Sequence, residues 1–297
     1  MNKQFTILHK DNAAYVDKSF LAKDFASDAF GFVPVAAEDK MLVGFYKFVP
    51  SFYVEVGTVK NAVANTITAK YYHATDGWTA LDIIDETQGF TASGFIFFRR
   101  PKDTNFNELA STVEVDSKTL VWLELTFSED HTASSTIKGI APLFSNDKDL
   151  EEERSNITDS DLLGSTLASW VLKHQASRKQ IVQDIRNKGN IKYRAKADTS
   201  TGTSKKYENV FSNITEFDIL DFDEIRQASK FLTLSKIFHQ ELSDKADDKY
   251  SVLGKYFYEQ FTRSFSLFFL KLDIDDDGEE GEDDVAKSTK IIDIVRE

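Results

Sequence analysis

The stretch NDKDLEEERSNI, residues 146–157, separates two parts of the chain that differ in the spacing of their apolar residues. It is densely charged and has no apolar period of its own, which is typical of a segment between domains. With 297 residues, 41% of them apolar, the chain can bury one or two sizeable cores. The sequence therefore predicts two domains, one over residues 1–148 and one over 149–297.

Before this stretch, the apolar residues come in short runs of β-branched and aromatic type, separated by polar turn signals. The runs are MLVGFYKF (41–48), FYVEV (52–56), ANTITAKYYH (64–73), GWTALDII (77–84), SGFIFF (93–98), TLVWLELTF (119–127) and TIKGIAPLF (136–144). Seven such runs predict an N-terminal antiparallel β-sandwich. Asp76-Gly77 predicts a hairpin turn, because glycine readily adopts a positive φ. We expect Trp78 and Trp122 in the sandwich core; a sugar-binding platform is the alternative interpretation of these aromatic residues.

After the charged stretch, the apolar period becomes helical and predicts a C-terminal domain with about three long helices, so that the fold class is α+β. The first helix begins at Thr158 as its N-cap, with Asp161 as the acidic residue at N3, and ends near Gly189. The second begins at Asp221, with Glu224 at the capping-box position. The apolar stripes are Leu163, Leu167, Trp170, His174, Ile181 and Ile185 in the first helix; Ile225, Ala228, Leu232, Ser235, Phe238 and Leu242 in the second; and Tyr250, Leu253, Phe257, Phe261, Phe265, Phe268 and Leu272 in the third.

The third helix is apolar over more than one face. The residues outside its stripe are Tyr256, Tyr258, Leu267, Phe269 and Leu270. Large uncovered apolar surfaces usually mark interaction sites, so self-assembly is one interpretation. The other is that this helix is central in the bundle and fully covered by its neighbours. The sequence leaves both open.

Between the first two helices, residues 190–211 predict a β-hairpin. IKYRAKAD alternates apolar and polar residues, TSTGTS is a turn, and KKYENVF leads back. The hairpin is basic on an acidic chain, through Lys192, Arg194, Lys196, Lys205 and Lys206. It is interpreted either as a docking arm for an acidic partner or as an ordinary solvated hairpin.

The C-terminal tail, residues 273–297, begins with a run of carboxylates. Asp273, Asp275, Asp277 and Gly278 match positions one, three, five and six of a calcium loop, and Asp284 falls at position twelve. Position eight is an acidic residue where a calcium loop has an apolar one. Nine of the twelve residues from 273 to 284 are acidic and repel one another. A solvated tail is therefore favoured over a calcium site.

The tail ends in STKIIDIVRE, and its apolar run includes Ile291 and Ile292. A short run of this kind can add a strand to the sheet edge of a neighbouring molecule.

Nothing in the sequence selects a catalytic site or a cofactor site. The five histidines have no metal-ligand spacing, and phosphate-loop and nucleophile-elbow motifs are absent from the sequence. We interpret His174 as a hydrogen-bonded structural residue. A formal charge of -13 disfavours a nucleic-acid or anionic-membrane surface. With no cysteine and no membrane-length apolar stretch, the sequence predicts a non-enzymatic, soluble protein that is made in the cytoplasm and binds other proteins.

The helical part resembles the head-to-tail adaptor proteins, also called connector or neck proteins, of tailed bacteriophages. The resembling features lie within residues 158–284: Leu220-Asp221 before a helix with Ile225, Ala228 and Leu234; the polar turn SDKADDKY; a long helix with Phe257, Phe261, Phe265 and Phe269 at four-residue steps; and the Asp-rich ending from Asp273 to Gly278. The segment GWTALDIIDETQGFTASGFIFFRRP is similar to segments of other phage virion proteins. Adaptors are commonly small and all-helical, so a β-sandwich in front of the helices departs from their pattern.

The resemblance implies a virion structural protein in the neck region. About twelve copies would form a closed ring below the portal, with heterologous contacts between subunits. The ring would link portal and tail proteins, and genomic DNA would pass through its acidic channel without specific binding. The hairpin and the tail after Leu272 would contact neighbouring proteins. A carbohydrate-binding β-sandwich module of a phage tail or baseplate protein is the alternative function.

Overall fold

The computed structural model describes residues 5–25, 30–36, 38–45, 49, 51–98, 112–163, 169–188, 193–196, 206–209, 214–219, 222–243, 249–267, 269–270 and 287–288. In these residues the protein is a mixed α+β structure with two large antiparallel sheets and six α-helices. The predicted fold class is confirmed at this level. The finer arrangement, a separate N-terminal sandwich domain and a separate helical domain, stays a prediction.

Twelve strands lie before residue 144. They are β1 (Phe5–Asp11), β2 (Ala14–Asp17), β3 (Phe30–Gly31), β4 (Lys40–Phe45), β5 (Ser51–Val56), β6 (Ile67–His73), β7 (Gly77–Leu81), β8 (Ile83–Asp85), β9 (Gly94–Phe98), β10 (Val113–Val115), β11 (Lys118–Phe127) and β12 (Thr136–Leu143). The first sheet has the order β2-β1-β4-β11-β6-β7, and β10 also pairs with β11. The second sheet has the order β3-β12-β5-β9-β8. The arrangement is sandwich-like, because one buried apolar cluster contains residues of both sheets.

Side-chain alternation explains why these segments form strands with one buried face. In β6, Ile67, Ala69 and Tyr71 are buried, whereas Thr68 and Lys70 between them are exposed. The predicted turn after β6 is confirmed: Gly77 has a φ of +70°, and His73 pairs with Gly77 across the hairpin. The period of two therefore fixes both the strand and the face that it buries.

The run GWTALDII is not one strand. Its first part, β7, pairs with β6 in the first sheet, and its second part, β8, pairs with β9 in the second sheet. Asp82 lies between the two strands, at the point where the chain leaves one sheet for the other. The run therefore connects the two layers of the sandwich.

The expectation that both tryptophans are buried in the core is confirmed for Trp122 and wrong for Trp78. Trp122 is fully buried, but it lies on the outer face of the first sheet, in a small cluster with Leu8, Leu42 and Leu120. Its indole Nε1 donates to a backbone oxygen in β10, which covers this face. Trp78 packs against the same cluster and is only partly buried. Both tryptophans therefore lie outside the layer between the sheets.

The helices follow the sandwich, except for the first. They are α1 (Ser19–Lys23), α2 (Asp147–Glu153), α3 (Ser160–Leu163), α4 (Val171–Lys188), α5 (Phe222–Ile237) and α6 (Lys249–Leu267), and α5 continues into a π-helical turn, Phe238–Leu242. Most described members of the predicted apolar stripes are buried, whereas Leu242, Tyr250 and Leu253 are only partly buried. The buried members are Leu163, Trp170, His174, Ile181 and Ile185; Ile225, Ala228, Leu232, Ser235 and Phe238; and Phe257, Phe261 and Phe265.

Residues from both sides of residue 148 share the main core. Ile181 and Ile185 of α4, Ile225 of α5 and Phe261 of α6 belong to the same buried cluster as the inward-facing residues of the two sheets. A continuous apolar core couples the stability of the helices to that of the sandwich. The division at residue 148 stays a prediction, and a boundary there would cross a shared core.

The charged stretch that was interpreted as a linker contains a helix. Asn146 caps α2, because its side chain accepts from the backbone N–H of Asp149 while the Asp149 carboxylate accepts from the backbone N–H of Asn146. Leu150 is fully buried and packs in a second apolar cluster, which also contains Trp170 and Phe257. The charges of α2 have partners on α5, more than seventy residues away in the chain, so this stretch packs against the helical part.

The first predicted helix was also wrong in its extent. The structure has the short α3 and then the separate α4, rather than one helix from Thr158 to Gly189. Thr158 does not cap α3; its hydroxyl donates to Glu151, and the backbone oxygen of Asp159 accepts the first bonds of that helix.

Two small antiparallel pairs complete the described structure. The predicted hairpin contains β13 (Tyr193–Lys196) paired with β14 (Lys206–Asn209), which confirms the antiparallel pairing. Near the C-terminus, β15 (Phe269–Leu270) pairs with β16 (Lys287–Ser288).

Candidate functional site

A buried polar network lies where four elements meet. It consists of Ser145 after β12, Asp147 in α2, His174 in α4 and Ser229 in α5, and we call it the junction network. All four residues are buried. The network joins the end of β12 to three helices through buried, mutually bonded polar side chains.

Both ring nitrogens of His174 have partners. Nδ1 is 3.0 Å from the Ser145 hydroxyl oxygen, and Nε2 is 3.0 Å from Oδ1 of Asp147. The Ser145 oxygen is also 2.7 Å from the hydroxyl of Ser229. The other Asp147 oxygen accepts from the backbone N–H of Trp170 at 3.2 Å. The interpretation of His174 as a hydrogen-bonded structural residue is therefore confirmed.

A serine, a histidine and an aspartate in line are also the components of a nucleophilic triad. In such a triad the serine oxygen must reach a substrate carbonyl, so it has to be open to a cleft. Ser145 is 0% exposed, and its hydroxyl is shared between His174 and Ser229. In this conformation the arrangement links structural elements and does not present a nucleophile.

Glu86 is close enough to Asp147 of this network to interact with it electrostatically. Burial raises the pKa of its carboxyl, and the nearby negative charge of Asp147 adds to the rise, whereas a hydrogen bond with Ser169 opposes it. Glu86 is half-buried, so the rise reflects partial loss of water and not a closed site.

Ion pairs between α2 and α5 support the junction network. Arg226 bonds to Asp149, whose carboxylate is almost fully buried. Lys230 is 2.8 Å from a carboxylate oxygen of Glu153 and 3.4 Å from one of Glu152. These contacts compensate the burial of charge and fix α2 against α5.

A second buried histidine has the opposite environment. The ring of His131 makes edge-on contacts with Phe32, Phe90 and Phe127, at centroid distances of 5.8, 5.8 and 4.9 Å. We call these three rings the phenylalanine cage. Neither ring nitrogen of His131 has a hydrogen-bond partner, and burial lowers its pKa to about 4. The ring is therefore neutral at physiological pH.

The outward face of α6 carries two exposed apolar side chains, Val252 at 60% and Tyr256 at 52%. Tyr258 is 47% exposed, but it is two residues from Tyr256 and therefore lies on another side of the helix. The opposite face buries Phe257 and Phe261 against α5 and the core. A helix that buries one apolar face and leaves another in water fits an interaction surface.

The structure locates only part of the predicted site. Arg194, Lys196, Lys206 and Phe269 lie in the small strand pairs described above. The other partner-contact candidates, Lys192, Lys205, Ile291 and Ile292, lie outside the described residues, as do the calcium candidates Asp273, Asp275, Asp277 and Asp284.

In the part of the chain that the structure describes, no three His, Asp or Glu side chains come together as a set that could hold a metal ion. Within the same ranges, none of the helices combines the length and the apolar composition that crossing a membrane requires.

Comparisons of the chain with models of known protein families, with curated proteins and with solved structures gave no match.

Sequence reasoning missed most of the junction network and the phenylalanine cage. His174 was placed on a buried helical face, but its partner Ser145 lies 29 residues away in the chain. Ser229, which bonds to Ser145, lies 84 residues from it. No local pattern connects such residues. For His131, the local sequence SEDHTASS is polar and indicates an exposed loop.

Proposed function

We propose that this protein is a non-enzymatic virion structural protein, a head-to-tail adaptor in the neck of a tailed bacteriophage. In this proposal an N-terminal β-sandwich domain precedes a C-terminal adaptor-like domain. Copies of the chain form a closed ring below the portal, with about twelve subunits, and the ring links the capsid to the tail. The observation that carries the proposal is the outward face of α6.

This face supports self-assembly because its exposed apolar side chains belong to a helix that is anchored in the core. Phe257 and Phe261 hold α6 in the core, stacked or tilted against neighbouring rings. Val252 and Tyr256 are four residues apart and therefore lie on one side of the helix. Aromatic residues on rigid elements are favoured anchors of protein interfaces. The sequence leaves two interpretations of this helix open, self-assembly or full coverage by its neighbours. The exposed side chains favour an interaction surface.

The hairpin supports a contact with an acidic neighbour. It carries five cationic residues, Lys192, Arg194, Lys196, Lys205 and Lys206, on an acidic chain. An acidic surface on a portal, tail or neighbouring adaptor subunit would complement that charge.

The net charge supports a passage for DNA. A chain with a formal charge of -13 repels a phosphate backbone, so DNA moves through a ring of such subunits without adhering. The proposal accordingly assigns the protein to the virion neck after synthesis in the host cytoplasm. It assigns neither a cofactor nor a membrane contact.

The test is the oligomeric state of the full chain, measured by light scattering after size-exclusion chromatography and by electron microscopy. Tyr256→Lys is expected to convert rings into monomers, because a charge would be buried in the contact. Thr262→Lys is the matched control, since it adds the same charge at an exposed position of the same helix. Rings that persist in Tyr256→Lys, or a monomeric wild-type chain with and without portal protein, would contradict the proposal.

The absence of a calcium function is tested separately. We expect the melting temperature to stay unchanged in millimolar calcium. A rise in melting temperature that Asp273→Asn abolishes would assign a calcium site to the tail instead.

A carbohydrate-binding module is the second candidate, and one observation favours it. Tyr72 and Trp78 face each other on the outer side of the first sheet, and both stay partly exposed. Their rings are 5.8 Å apart at an angle of 79°, so only one ring can lie flat against a sugar. Glycan-array binding that Trp78→Ala abolishes would support this function over the adaptor.

A further inference from the structure

Four loops meet at one end of the sandwich, and the loop that carries His131 contacts the other three. They are residues 32–36 after β3, 57–66 between β5 and β6, 86–93 between β8 and β9, and 128–135 between β11 and β12. We call these four segments the loop end. The ring of His131 lies in the phenylalanine cage, whose three rings come from the first loop, the third loop and the end of β11.

Hydrogen bonds from the His131 loop hold the loop end together. The backbone N–H of His131 donates to the backbone oxygen of Pro34 at 3.1 Å. The backbone N–H of Thr132 donates to Oδ1 of Asn61 at 3.0 Å, and Nδ2 of Asn61 donates to the backbone oxygen of Gly89 at 2.9 Å. Each of the other three loops is therefore bonded to residues 128–135 directly or through one side chain.

Two residues of the loop end have a strained backbone. Phe90 has a φ of +65° and Ser134 a φ of +77°, in the left-handed region that side chains other than glycine disfavour. Such conformations persist where the surrounding structure holds them. Phe90 is buried in the cage against His131, so packing in the cage offsets this strain. Loss of the cage would allow both residues to relax.

A positive charge on His131 would have no compensating partner. In the described part of the chain, neither of its ring nitrogens has a hydrogen-bond partner. The carboxylates of Asp39, Asp85 and Asp130 accept from backbone N–H groups at 2.7 to 2.9 Å instead. Burial lowers the pKa of His131, and no charged group contributes to the change. The ionisable residues on the surrounding elements are His9, Glu38, Asp39, Lys60, Asp85, Glu86, Glu129 and Asp130.

We propose that protonation of His131 opens the loop end while the two sheets stay folded, so that this end of the sandwich is an acid-sensitive switch. The charged ring leaves the cage for water, and residues 128–135 release the other three loops. Phe32, Phe90 and Phe127 then become accessible. The sheets keep their own pairing, since β11 lies between β4 and β6 and is bonded to both. The inference does not depend on the adaptor function.

The direction of the pH effect follows from the two states of His131. In the cage its pKa is about 4, whereas in an open loop it has the ordinary value of 6.5. The open form binds more protons between these values, so the closed form is fully favoured above pH 6.5 and is weakened as the pH falls towards 4. From pH 7 to pH 5 we expect the open fraction to increase roughly tenfold. Carboxylates with ordinary pKa values stay charged at pH 5.

Hydrogen–deuterium exchange of the full chain, read by mass spectrometry, tests the switch. Exchange is measured at pH 7 and at pH 5, with times scaled to the intrinsic exchange rate at each pH. Protection of residues 128–135 is compared with that of β11, which reports opening of the sheet. We expect residues 128–135 to be less protected than β11 at both pH values and to lose protection roughly tenfold at pH 5. The loss should be absent in His131→Leu.

Two further variants separate the possible causes of a loss. His131→Phe keeps a ring in the cage that cannot take up a proton, so it repeats the test if leucine disturbs the packing. His9→Leu is the matched control, because His9 is the other buried histidine in contact with Phe32 and its Nε2 is 3.9 Å from Asp39. We expect the loss of protection to remain in His9→Leu.

Three results would overturn the inference. Equal protection of residues 128–135 and β11 at pH 5 would show that the loops open only with the whole fold. A loss that persists in both His131 variants would assign it to another group such as Glu86, whose pKa is raised by burial. A loss that disappears in His9→Leu would assign the switch to His9.

Discussion

The junction network and the phenylalanine cage bury the same kind of side chain in opposite ways. His174 has a partner for each ring nitrogen, a serine hydroxyl and a carboxylate. His131 has a partner for neither and lies against three phenylalanine rings. Burial alone therefore does not define the role of a histidine. A buried histidine with hydrogen-bond partners links structural elements. A buried histidine without them destabilises the fold when acid protonates it.

The largest effect is expected from His174→Ala. The substitution removes both hydrogen bonds and leaves Oδ1 of Asp147 buried without its partner, so we expect a loss of about 3 kcal/mol in the free energy of unfolding. Urea denaturation at pH 7, followed by tryptophan fluorescence, measures this loss. His239→Ala is the control, because His239 is exposed. A loss no larger than that of the control would show that the network contributes nothing to the junction.

The second prediction concerns pH and His131. In the folded protein its pKa is about 4, whereas the unfolded chain has the ordinary value of 6.5. Between these values the unfolded state binds more protons, so stability is full above pH 6.5 and falls as the pH decreases towards 4. A pKa difference corresponds to about 1.4 kcal/mol per unit. Because solvent at the exposed residues beside His131 screens part of this energy, we expect the free energy of unfolding to decrease by roughly 2 kcal/mol.

His131→Leu tests this dependence, because leucine cannot take up a proton. Urea denaturation at pH 7 and at pH 4.5 should show a smaller decrease in this variant than in the wild type. Burial also lowers the pKa of His9, so part of the pH dependence will remain in His131→Leu. Identical pH dependence in the two proteins would mean that His131 is protonated in the folded state without cost.

The smallest effect separates two buried serines. Ser145 and Ser51 are both 0% exposed, but only Ser145 has hydrogen-bond partners, and the Ser51 hydroxyl has none. We expect Ser145→Ala to cost about 1.5 kcal/mol, because it leaves His174 and Ser229 each short of a partner, and Ser51→Ala to be close to neutral. Equal losses of unfolding free energy would show that hydroxyl volume, and not bonding, determines both effects.

The same contrast explains how far the sequence predicts this fold. Runs such as ANTITAKYYH and TIKGIAPLF predict strands β6 and β12, because a period of two is a local property. The stripe of Phe257, Phe261 and Phe265 predicts the buried face of α6 for the same reason. The run FTILHKD, which forms β1 in the interior of the first sheet, was not assigned as a strand because polar residues interrupt it.

Properties that depend on distant partners were not predicted. The stretch NDKDLEEERSNI was interpreted as a segment between domains, and its sequence does not reveal that Arg226 and Lys230 of another helix pair with its carboxylates. The candidate site shows the same limit, since His174 was placed on a buried face but its hydrogen-bond partners were not identified. The sequence reveals which residues are buried, whereas only the fold reveals what they are buried with.

The central claim is that the chain is a ring-forming neck protein of a virion. Cryo-electron microscopy of phage particles that contain this chain tests the claim most directly. We expect a ring of density between portal and tail that fits the two sheets and α5–α6, with the outward face of α6 in contact with a neighbouring subunit. Density at the fibre tips or baseplate, or the absence of the chain from purified particles, would contradict it.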